Sequence, residues 1–143
     1  MDEILVEWKK DTIISETKLS QELLRVPLLH SKYLDYFIKL KRQFSQATTK
    51  RNKMAYLRKL YYRGELTKTQ LVENGWEQYQ GLKMGNSEFN QQSEIDPVLI
   101  DYQRVIDELE SSIKGLEYIL GQLKSREFSI KAVMDYNKFC AGN

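Results

Sequence analysis

Residues 97–123 read "PVLIDYQRVIDELESSIKGLEYILGQL", and their spacing decides the fold class. Leu99, Tyr102, Ile106, Leu109, Ile113, Leu116, Leu120 and Leu123 follow one another at alternating intervals of three and four residues. Side chains at that spacing share one side of an α-helix, and about three and a half heptads of them make a coiled-coil seam. Val98, Val105 and Ile119 add a third apolar column. A stripe this wide exceeds what a two-stranded zipper buries, so packing against more than one neighbour is expected. Gly115 and Gly121 weaken the helix, which packing must then hold. Asp96 followed by Pro97 reads as an N-cap and a first-turn proline. After Ser125 the tail is again amphipathic, with Phe128, Ile130, Val133, Met134, Tyr136 and Phe139 as candidate anchors. Residues 97–143 are therefore expected to form a helical oligomerisation region, with the eight seam residues and Phe128 as its contacts.

Upstream, residues 65–96 change character. Gly75, Gly81 and Gly85, with Gly64 just before them, the turn pair Asn74-Gly75 and the polar run before Pro97 predict an irregular connector with a local hairpin or short helix. Thr67 followed three residues later by Gln70 is a capping-box pattern for one such helix. Residues 1–64 read as an N-terminal helical region. Ser15 or Ser20 is expected to start a short helix, Pro27 to interrupt it, and a second helix to begin near Val26. Tyr33, Phe37, Leu40, Phe44 and Ala47 form one stripe of that second helix. The weak helix formers of "SQATTKRN", residues 45–52, predict a bend. The expected class is all-α, with amphipathic N-terminal helices and a heptad-bearing C-terminal helix.

A formal charge of +2 conceals a strong asymmetry. From Tyr36 to Gly64 there is no acid, but there are nine basic residues, which leaves thirteen basic and twenty acidic residues elsewhere. Seven of the nine fall on the half-circle opposite the apolar stripe, whereas Arg51 and Arg58 fall on it. Segregated charge of this kind bears on partners rather than on fold.

Catalytic chemistry finds little to use. His30 is the sole histidine and reads as a structural residue near an apolar helix start, and paired-histidine metal sites are excluded. The one cysteine, Cys140, admits no intramolecular disulfide and suits a reducing compartment. No GxxxxGK loop occurs. No apolar run is long enough to span a membrane, and the acidic start "MDEILVEWKK" is unlike a secretory leader. A non-enzymatic, cofactor-free, intracellular protein is expected.

The stretch "KRNKMAYLRKLYYR", residues 50–63, interleaves Lys50, Arg51, Lys53, Arg58, Lys59 and Arg63 with Tyr56, Tyr61 and Tyr62. Clustered cations attract nucleic acid through counterion release, and tyrosines offer stacking surfaces to unpaired bases. A solvated helix face whose tyrosines belong to a core accounts for the composition equally well. Multiple copies in an oligomer would turn a modest patch into a continuous track, which favours the nucleic-acid reading. A coiled-coil scaffold using the basic face for an acidic protein partner is the alternative. A basic amphipathic element on an anionic membrane is weaker, because the apolar face is interrupted and no anchor accompanies it.

Several stretches then carry a resemblance. "KKD" at 9–11, "TKL" at 17–19, "LHSKYL" at 29–34, "LYYRG" at 60–64 and "LKSREFSIK" at 123–131 with "FCAG" at 139–142 occur in the order and spacing of a known family. The chain resembles the recombination mediators of T-even-type bacteriophages, the UvsY-like proteins. That resemblance implies a ring-like homo-oligomer of six or seven subunits in the cytoplasm of an infected bacterium. Its implied partners are single-stranded DNA, the phage recombinase and the phage single-strand-binding protein. Its implied role is loading recombinase onto covered strands in recombination, replication and repair, with the C-terminal segment as assembly element. Arg58 stands at the family's DNA-binding arginine, and Tyr61, Tyr62 and Gly64 match directly. Tyr56 stands where the family has a lysine and Leu60 where it has an acid, so Lys53 or Lys59 is expected to supply the missing contact.

Overall fold

Five helices account for most of residues 1–142, which the structure, a computed structural model, describes. They are α1 (Asp2–Asp11), α2 (Leu19–Tyr62), α3 (Lys68–Asn74), α4 (Asn86–Gln92) and α5 (Pro97–Cys140), and no strand occurs among the described residues. The helix boundaries follow local hydrogen bonding. Asp96 Oδ1 accepts from the Val98 and Leu99 amides and caps α5 as expected. Thr67 and Gln70 complete the capping box of α3. Gly64 (φ +67°) and Gly75 (φ +69°) close α2 and α3 in left-handed turns. In each, an amide reaches back five residues: Glu65 N–H to Leu60 O, and Trp76 N–H to Leu71 O.

Two expectations about α2 are corrected. The helix runs from Leu19 through Pro27 and through residues 45–52 without interruption. Pro27 removes the hydrogen bond to the carbonyl one turn back, a cost of about 3 kcal/mol in an isolated helix. Contacts on both sides of it offset that cost. Glu22 pairs with Arg126, Arg25 pairs with Asp11, and Val26, Leu29 and Tyr33 are buried. At the second site, the Thr49 hydroxyl donates to Ser45 O within the helix, and Ala47 and Thr48 are half-buried. Tertiary packing overrides weak propensity in both places.

The chain divides into two compact units, Met1–Arg42 with the segment from Leu109 onward, and Gln43–Glu108. This cuts across the expected division at residues 64 and 96, because α2 and α5 each contribute to both units. In the first unit Leu29, Tyr33, Leu116, Ile119 and Leu123 form the core, flanked by Ile4, Trp8, Tyr36, Phe37, Leu40 and Leu120. Trp8 meets the Tyr33 ring edge-on at 5.5 Å. A polar network ties α1 to α2: Asp11 accepts from Arg25, Lys32 and Tyr33, and Glu7 accepts from Tyr36 and pairs with Lys32. Arg126 of α5, almost fully buried, donates to the carbonyls of Asp11 and Ile13 and to Glu22. The second unit packs Tyr62, Phe89 and Leu99 with Met54, Ala55, Tyr61, Tyr79 and Met84.

The heptad seam is therefore largely occupied within the chain. Leu99, Ile106, Ile113, Leu116 and Leu123 are buried, Tyr102, Leu109 and Leu120 are half-buried, and only Phe128 of the expected oligomer contacts stands exposed, at 77%. Burial within the chain leaves little of the expected seam open to a second subunit. In the first unit the stripe finds its several neighbours in α1 and α2 of the same chain.

Candidate nucleic-acid interface

Within the second unit, one turn of α2 after another divides its side chains between core and solvent. Lys50, Lys53 and Tyr56 are exposed, and Lys59 and Arg63 are half-exposed, with Arg63 donating to Asn86 Oδ1 at 2.6 Å. No acid interrupts α2 after Asp35, so this face carries one sign of charge on its own helix. An open shallow depression lies along it, lined by Thr49, Asn52, Lys53, Tyr56 and Leu57. Fixed cations at helical spacing, with room for a flat group beside them, form a surface for a polyanion.

Arg58, Tyr61 and Tyr62, expected as DNA contacts, point away from this face: Arg58 and Tyr62 are buried and Tyr61 is half-buried. Arg58 is 7% exposed. Its Nε and Nη2 donate to the Asp96 carboxylate at 2.8–3.2 Å, and Nη2 also donates to the Tyr62 hydroxyl at 3.0 Å. The Tyr62 hydroxyl in turn donates to Asp96 Oδ2 at 2.6 Å. Around the guanidinium stand Tyr61, Tyr62 and Trp76, with ring centroids 4.5, 5.0 and 4.7 Å from Cζ. The aromatic cluster continues through Tyr79 and Phe89. A cation taken from water requires a buried carboxylate and satisfied donors, and Asp96, fully buried, supplies the charge. Arg51, the other arginine on the apolar stripe, is half-buried in a cleft beside Ser93 and Glu94, and its Nε is buried without a hydrogen-bond partner. The helix phase was legible in the sequence, but the remedy is a buried ion pair rather than a bend.

Asp96 is the residue that sequence reading left underused. It caps α5 through Oδ1, which also accepts from Arg58 Nε, and holds Arg58 and Tyr62 through Oδ2. Burial pushes its carboxyl up, but hydrogen bonds from Arg58, Tyr62 and the Leu99 amide outweigh burial and hold it below the ordinary value of 3.8. Asp11 behaves likewise: burial raises it, and Lys32, Tyr33 and Arg25 bring it below 3.8. Both folded values are depressed, so their stabilisation is fully present above 3.8 and is lost as pH falls through the lower folded values. Denaturation midpoints should thus be insensitive to these groups from about pH 8 to 5 and fall steeply below about pH 4. Asp96→Asn should show a smaller acid-dependent decline; an identical decline in both proteins would remove Asp96 from the account.

Fold and site together define a small all-α protein with a single-signed basic face on a long helix. More specifically, the chain belongs to the family described as "Recombination, repair and ssDNA binding protein UvsY", whose profile matches residues 7–143. Crystal structures of the bacteriophage T4 recombination mediator protein UvsY share the fold. Lattice type II superposes with a TM-score of 0.85 at 23% identity, covering 99% of this chain and 97% of that one. Lattice type IV gives 0.80 at 20% identity, covering 96% and 97%. No curated protein matches the chain. Among the described residues, no helix is long and apolar enough to cross a membrane, and no group of three or more His, Cys, Asp or Glu is placed to hold a metal.

Proposed function

We propose that this protein is a recombination mediator that binds single-stranded DNA on the exposed face of α2. The observation that carries the reading is the acid-free face bearing Lys50, Lys53, Tyr56 and Lys59 on a member of this family. Acting as a homo-oligomer of six or seven subunits, it loads the phage recombinase onto strands held by the single-strand-binding protein, in the cytoplasm of the infected host. Assembly falls to exposed apolar side chains at the end of α5, Phe128 with Tyr136 and Phe139, because the upstream seam is already covered. The mechanism is physical: a positive track selects the strand geometry that the recombinase requires, and binding energy shifts only what it binds differentially.

Salt titration tests the DNA-binding step. Each phosphate contact on a single strand contributes about 0.7 to the slope of log affinity against log salt. Lys50→Ala, Lys53→Ala and Lys59→Ala combined should lower the slope by about 2 for each engaged protomer, with unchanged helicity. Wild-type affinity that does not change with salt would exclude the electrostatic track.

A further inference from the structure

Three tyrosines lie between residues 50 and 63, and the fold treats them differently. Tyr61 packs edge-on against Tyr62 and Trp76, with centroids at 5.3 and 5.5 Å, and Tyr62 is buried. Neither offers a free ring face of the kind a stacked base requires. Tyr56 is 63% exposed, and among the described residues no aromatic pair or cation–π contact engages its ring. It borders the shallow depression on α2, with Asn52 one turn behind it and Lys53 three residues behind it. About 100° of rotation per residue sets Asn52, Tyr56 and Lys59 along one strip of the helix, with Lys53 flanking it.

These groups define a particular ligand. An unpartnered ring recognises a planar aromatic group, the Asn52 amide both donates and accepts, and Lys53 and Lys59 neutralise anions on either side. A flat heterocycle with polar edges between two phosphates is a nucleotide of a single strand; a base within a duplex hides its faces. We infer that Tyr56 is a base-stacking subsite, which holds one unpaired nucleobase while the flanking lysines hold its phosphates. The inference rests on the proposed function and adds a non-electrostatic contribution to it.

Fluorescence anisotropy of the full-length protein with two labelled strands of equal length, oligothymidine and its abasic analogue, separates the contributions. Both strands carry the same phosphates, so electrostatic binding alone treats them alike. The wild type should prefer oligothymidine by about tenfold or more, the range of one base–aromatic contact. Tyr56→Phe should keep that preference, and Tyr56→Ala should abolish it with the salt slope unchanged. Equal binding of both strands by the wild type overturns the subsite and leaves the proposed function standing. Retention of the preference by Tyr56→Ala does the same. Binding of neither strand at low salt overturns both readings.

Discussion

Replacing Asp96 with alanine should lower the unfolding free energy by about 3–5 kcal/mol, the usual consequence of leaving one member of a buried ion pair without its partner. Arg58 would keep its charge inside an aromatic enclosure, 7% exposed, with only the Tyr62 hydroxyl as acceptor. The α5 N-cap would be lost at the same time, which adds about 1 kcal/mol. Arg58→Ala should cost a similar amount, since it strands the carboxylate instead. The double variant should cost less than the sum, because both changes break one network. Urea unfolding followed by helicity measures all three; losses below about 1 kcal/mol for both single variants would show that the pair is not what holds the second unit. The same residue separates two explanations of any DNA-binding defect. Arg58→Ala should weaken DNA binding through misplacement of α2, without the slope change that follows loss of a phosphate contact.

Leu116→Ala should cost about 2–5 kcal/mol, as expected for a large-to-small change at a fully buried core position. Leu116 packs with Leu29, Tyr33, Ile119 and Leu123 in the first unit, and nothing in that cluster can close over the void without moving a helix. Phe128→Glu offers the contrast. Its side chain is 77% exposed, so monomer stability should change by less than about 0.5 kcal/mol. Sedimentation equilibrium should nonetheless show a smaller assembly. A loss of assembly by Leu116→Ala at full stability, with Phe128→Glu unaffected, would return the oligomer contacts to the heptad seam.

Periodicity reports that one side of a helix must leave water, but it is silent about whose side chains cover it. The width added by Val98, Val105 and Ile119 did point to several neighbours, and Ile119 lies in the core beside helices of the same chain. Val105 stays half exposed, so the stripe rotates around α5 rather than running straight. The helix continues through Pro27 for a related reason: propensity is a weak local preference, and burial of Leu29 and Tyr33 outweighs it.

Capping and turn signals succeeded because the hydrogen bonds behind them close within a few residues. Asp96, Thr67 with Gln70, and Asn74-Gly75 all behave as their local chemistry requires. The sequence by itself determined the all-α class, the placement of the α3 and α5 N-termini, the acid-free basic stretch, and the inward phase of Arg51 and Arg58. Only the tertiary structure decided which basic and aromatic residues remain available. Arg58 and Asp96 are 38 residues apart in the chain, and Trp76 closes the enclosure from a segment with no periodic signal. A buried charge must find a partner wherever the fold brings one, and that demand removes Arg58 and Tyr62 from the solvent face and leaves Tyr56 with the lysines on it.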